Sequence, residues 1–111
     1  MVKGLSFVML GAADVNREAA FYRDRLGLTE VTTFENFAFL DAGGTTLVVT
    51  GELPEGAADF VFGVDSVVEA YQHFKDSGLT FTNEPRPVAA DKWAVNFRDP
   101  AGRSLSFYGA R

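Results

Sequence analysis

The sequence predicts an α+β fold of two β-α-β-β-β modules, their strands joined in a curved mixed sheet with the helices on the outer face and a cup on the inner one. Three observations carry that prediction. Helical periodicity occurs twice, each time after a short apolar run and before a train of short segments rich in β-forming residues. The stretches AAFYRDRLGLT and EAYQHFKDSGLT echo each other at a separation of about fifty residues, each placing an aromatic late in its helix, then charges, then Gly-Leu-Thr. Length supplies the third: 111 residues at 47% hydrophobic content suit one domain, while neither half alone could bury both its helix and a sheet face.

Taken in order, residues 5–10, LSFVML, make a strand that Gly11-Ala12-Ala13 breaks. From Asp14 the spacing turns helical, with Val15, Ala19, Tyr22 and Leu26 at steps of three or four, Asp14 as N-cap and Gly27 as left-handed stop. Three strands follow near 28–34, 37–41 and 46–50, separated by Glu35-Asn36 and Gly43-Gly44, which suit tight hairpins. The aperiodic GELPEGAA at 51–58 marks the seam between module 1, about 1–52, and module 2, about 57–111. The pattern then restarts with DFVFGV as a strand, Ser66 and Glu69 as a capping box, and VVEAYQHFKDSG as a helix ending at Gly78. A strand near 79–83, a Pro-rich connection NEPRPVAAD, a strand WAVNFR, the turn DPAG and a strand RSLSFY complete the module.

Composition narrows the partners. A net charge of -5, with acids scattered among bases, repels phosphate backbones and anionic lipid, so neither nucleic acid nor a membrane is expected. There is no Cys, which rules out disulfides and a thiol nucleophile and suits a reducing compartment. The short apolar start, soon followed by Asp14, Arg17 and Glu18, fits neither a signal segment nor a membrane span, and the chain is read as cytoplasmic. Eleven Phe, three Tyr and one Trp exceed what a thin core needs, so some rings are expected to line a pocket.

The segments FYRDRLGL at 21–28, FVFGVDSV at 60–67 and DPAGRSLSFY at 99–108 together resemble the vicinal oxygen chelate superfamily, which includes glyoxalase I, bleomycin-resistance proteins and extradiol dioxygenases. The resemblance implies the fold predicted above and a small-molecule site in the cup. In metal-bearing relatives it also implies ligands at four positions, which here hold Phe7, about Val48, Asp59 and Ser106. One carboxylate is not a site for a divalent ion, which needs three or four donors. No metal or other cofactor is therefore expected. The sole histidine, His73, lies within the second helix and is read as structural or solvated.

What remains is a lining of alternate residues on several strands: Phe7 and Met9, Val48, then Ser104, Ser106 and Tyr108. Asp59 is a candidate for a cationic group or for acid–base work, and Trp93 for covering the cup's mouth or packing at its rim. Asn96 shares a face with Arg98, which either meets an anionic ligand or forms a surface pair with Asp99.

The leading expectation is a metal-free, bleomycin-resistance-like protein that binds or sequesters a small aromatic or antibiotic-like molecule, with no catalytic residue assigned. The alternative is an enzyme, a glyoxalase-like lyase or isomerase or an extradiol-type dioxygenase, using a divalent metal through Asp59. A homodimer is expected in either case, since small relatives commonly pair.

Overall fold

The computed structural model describes residues 1–111. Its elements are β1 (Val2–Gly11), α1 (Val15–Ala20) running into a π-helical segment (Phe21–Arg25), β2 (Thr29–Phe34), β3 (Phe37–Asp41), β4 (Thr46–Thr50), β5 (Ala58–Ser66), α2 (Val67–Asp76), β6 (Arg86–Ala89), β7 (Lys92–Arg98) and β8 (Ser104–Ala110). The strands hydrogen-bond in the order β2-β3-β4-β1-β5-β8-β7-β6, parallel at β1–β4 and antiparallel at β2–β3, β3–β4, β6–β7 and β7–β8. This is the predicted α+β class with a mixed sheet. The chain divides into two compact units, Phe7–Asp59 and Met1–Ser6 with Phe60–Arg111, so β1 contributes to both. No helix is long and apolar enough to cross a membrane.

In the Phe7–Asp59 unit, Asp14 caps α1 by accepting from the Arg17 amide at 3.1 Å. Val15 and Ala19 then face Ala38 and Leu40 of β3 and Val49 of β4, with Tyr22, Leu28 and Leu47 around them. Burying a side chain such as Leu40 stabilises by about 1.5–3 kcal/mol. Leu26, predicted to extend this stripe, is instead 58% exposed. After Ala20 the helix widens, each residue of the π-helical segment turns through a smaller angle, and the apolar phase slips before Leu26 is reached. Arg23 ties the segment to β2, with Nε 2.9 Å from Asp24 and Nη1 2.9 Å from Glu30. Gly27, at φ 76°, ends it as predicted.

In the other unit, Ser66 caps α2: its Oγ accepts from the Glu69 amide at 3.1 Å and donates to the Arg111 carbonyl at 2.9 Å. Val67 and Ala70 pack on Val64, Val95, Phe97 and Phe107, and the Phe97 and Phe107 rings approach to 4.6 Å. His73 sits exposed on α2 with its ring edge-on to Phe74 at 4.9 Å.

One strand is displaced from its predicted place. Residues 79–83 contribute only a single bridge, Phe81 to Phe97, and the edge strand is β6, inside the stretch read as a Pro-rich connection. The cause is polar. Thr82 donates its amide and Oγ1 to the Asn96 carbonyl at 2.9 and 3.1 Å, and the Asn96 amide donates to Asn83 Oδ1 at 2.9 Å. These bonds satisfy β7 at Asn96 without a ladder. Further along, Pro87 lies opposite Trp93 in an edge strand, where its missing N–H is tolerated.

Candidate functional site

Register decides which side chains share a face. In the Phe7–Asp59 unit Ala38, Leu40 and Val49 turn to α1, so Phe37, Phe39 and Val48 turn away from it. Phe39 stands opposite Val48, and Val48 opposite Met9, forming a row across β3, β4 and β1; Phe7 stands opposite Thr46 on the same side. The hairpin at Glu35-Asn36 brings Phe34 opposite Phe37. The three rings stack, with Phe34 5.8 Å from Phe37 and 5.7 Å from Phe39, and Phe37 6.3 Å from Phe39. Phe34 is 53% exposed at the sheet edge, Phe7, Met9, Phe37 and Phe39 are half-buried, and Val48 is buried.

Of these, sequence reasoning named Phe7, Met9 and Val48 and missed the stack. The signal was present: Phe37 and Phe39 share a parity, and a two-residue turn at 35–36 places Phe34 beside Phe37.

In the other unit Asn96 lies opposite Ser106, Arg98 opposite Ser104, and Ala94 opposite Tyr108, so all six share the face turned away from α2. Asn96 is the hub of a polar cluster. Its Nδ2 donates to the buried Ser106 Oγ at 2.7 Å, and its Oδ1 accepts from Asn83 Nδ2 at 2.8 Å and Arg86 Nη1 at 2.7 Å. Arg98 shares the Asn96 face but donates Nη1 to the Gly102 carbonyl at 2.9 Å. The predicted Arg98–Asp99 pair is absent: Asp99 instead pairs with Arg103 at 3.3 Å, and hydrogen bonds from the Arg103 amide hold its carboxyl below the usual Asp value.

Trp93 requires a correction. Strand alternation places it with Val95 and Phe97 against α2's core, with the Arg111 guanidinium 5.0 Å over its ring. It lies on the opposite face of β7 from Asn96 and cannot cover that face. Asp59, by alternation on β5, lies on the side away from Phe62 and Val64, and it is buried, with 7% of its surface exposed. The usual expectation of an exposed acid at a strand start does not hold for it.

A divalent ion finds few donors among these residues. Phe7 and Val48 offer no electron pair, Ser106 Oγ is engaged by Asn96, and no three His, Asp or Glu side chains gather anywhere in the chain. Asp59 is the sole carboxylate among the four positions, where a divalent ion takes three or four donors.

Comparison with known proteins gives concordant results. A family model described as the Glyoxalase/Bleomycin resistance protein/Dioxygenase superfamily matches residues 4–107. A hypothetical protein from Bacillus halodurans C-125 superposes with a TM-score of 0.80 at 19% identity, covering 96% of this chain and 94% of its own. A glyoxalase/bleomycin resistance protein/dioxygenase superfamily member from Vibrio splendidus 12B01 gives 0.71 at 21% identity over the whole of both chains. A variant of the Streptomyces coelicolor methylmalonyl-CoA epimerase, in complex with 2-nitronate-propionyl-CoA, gives 0.77 at 18% identity over 99% of each. At these identities the likeness is one of fold, whereas the family model spans nearly the full sequence: the chain belongs to the Glyoxalase/Bleomycin resistance protein/Dioxygenase superfamily.

Proposed function

We propose that this protein binds a small, partly aromatic organic molecule without a divalent metal, in the manner of the bleomycin-resistance proteins of its superfamily. The observation that carries the reading is the stack of Phe34, Phe37 and Phe39 on the side of its unit away from α1, with Met9 nearby in the row through Val48. Stacked rings at a sheet surface have water to lose, and a flat apolar ligand displaces it at little conformational cost. Phe7 extends the apolar lining. Asn96, Ser104, Ser106 and Tyr108 share a face of their own unit and offer hydrogen bonds there, and Asp59 offers a carboxylate for a basic group. The shortage of donors at Phe7, Val48 and Ser106 supports binding over metal-assisted catalysis.

Thermal-shift screening of the purified protein against aromatic metabolites and antibiotics tests the reading. A true ligand at a hundredfold excess over its Kd should stabilise by about 2.7 kcal/mol and raise Tm accordingly. Phe34→Ala, at an exposed position, should keep the fold and weaken that shift. Failure of every aromatic compound, or a stoichiometric divalent ion that survives dialysis, would overturn it; the ion would favour the lyase, isomerase or dioxygenase reading.

We also propose a homodimer as the working form, because the chain carries edge strands at β2 and β6. Light scattering at micromolar concentration should return twice the chain mass. A strict monomer contradicts it.

A further inference from the structure

The guanidinium of Arg86 donates one hydrogen bond, to Asn96 Oδ1, and pairs with no carboxylate. Arg98, on the same face of the unit, is likewise unpaired and donates only to the Gly102 carbonyl. In a chain with fifteen acidic and ten basic residues, these two arginines on one sheet face form no ion pair.

Arg86 is also held in place. It lies opposite Ala94 in the β6–β7 ladder, and the amide it binds is locked from several sides: Asn83 donates to the same Oδ1, and Asn96 Nδ2 donates to Ser106. Because Asn96 is fixed, one arm of the Arg86 fork is fixed with it, and less side-chain entropy remains to be lost when a ligand arrives. A guanidinium has five donors in a planar fork, and those not used here match the paired oxygens of a carboxylate or a phosphate.

We propose that Arg86, oriented by Asn96, is an anion-binding residue that takes a carboxylate or phosphate group. The site stands on the polar cluster of its own unit and is independent of the function proposed above. Arg98 adds attraction at longer range against a net charge of -5.

NMR tests the proposal. Inorganic phosphate titrated onto the protein should shift the Arg86 Nε–H and Asn96 side-chain amide signals saturably. The Asn96 shift should vanish in Arg86→Gln, and both should persist in Phe34→Ala. Next, acetate is compared with its neutral amide, acetamide. The wild-type protein should bind the acid roughly tenfold or more tighter, as expected for one charge-assisted pair, and Arg86→Gln should bind both alike.

Equal binding of the two probes by the wild-type protein overturns the anion site whether or not the variant folds. So does a preference that survives in Arg86→Gln. The absence of any saturable phosphate shift at Arg86 overturns it as well.

Discussion

A Cβ added at Gly109 would lie 2.0 Å from the carbonyl oxygen of Val64, and one at Gly11 the same distance from that of Pro54. Both obstacles are backbone, so neither can swing aside as a side chain would. Gly109→Ala is therefore expected to destabilise by ~3 kcal/mol, because a strand or its neighbour must shift. Gly102→Ala makes an informative contrast. It sits at φ 89° with open space around it and should cost only about 1 kcal/mol, the conformational penalty of a left-handed residue. Urea denaturation of the two variants checks the order, and equal losses would refute the close-approach account. Neither Gly11 nor Gly109 stood out for this reason in the sequence, since what crowds them comes from residues more than forty positions away. Trp93 reads two ways in the sequence, as a cover for the cup's mouth or as packing at its rim, although alternation with Val95 and Phe97 is enough to assign it to the helix side.

Elements were legible where local chemistry decides them. The second helix follows from Ser66, Glu69 and Gly78: Ser66 accepts from the Glu69 amide, which is one half of the predicted capping box, the Glu69 carboxylate makes no bond back to Ser66, and Gly78 takes φ 105° just past the last turn. Ser66 has a second duty, its bond to the Arg111 carbonyl, that no capping rule foresees. Ser66→Ala should cost about 1 kcal/mol through the cap. It should also loosen the C-terminal end, so hydrogen exchange should quicken both at the Glu69 amide, which donates to Ser66, and at the Val68 amide, which donates to Arg111. Quickening at Glu69 without Val68 would show that the tether carries no weight. The edge strand escaped prediction because its position depends on where Thr82 and Asn83 bond to Asn96, a pairing thirteen or fourteen residues apart. In the first helix the apolar stripe fails at Leu26 for want of any sequence rule that places a π-helical turn.

At the scale of the whole molecule, β1 links the two units, because its residues up to Ser6 belong to one and those from Phe7 to the other. Neither unit can lose its part of that strand without disturbing a neighbour in the chain, so unfolding should be a single cooperative step. Acid tests this, since each unit carries carboxyls held below their ordinary values. Hydrogen bonds from Arg23 lower Asp24, Thr33 and Arg23 lower Glu30, and the Arg103 amide lowers Asp99. Lowered carboxyls stabilise the folded state at pH above the ordinary 3.8 of Asp and 4.5 of Glu, and that contribution is lost as pH falls through the lowered values. Asp24 is solvent-exposed and Glu30 and Asp99 are half-buried at the surface, so each contributes little and high salt should blunt the effect. Trp93, the only tryptophan, reports on its own unit, while far-UV circular dichroism reports on both. The two signals should therefore hold steady near neutrality and decline together below about pH 4.5. Separate midpoints would show that β1 does not couple the units, and a stability that rises on acidification would contradict the assignment of the three carboxyls.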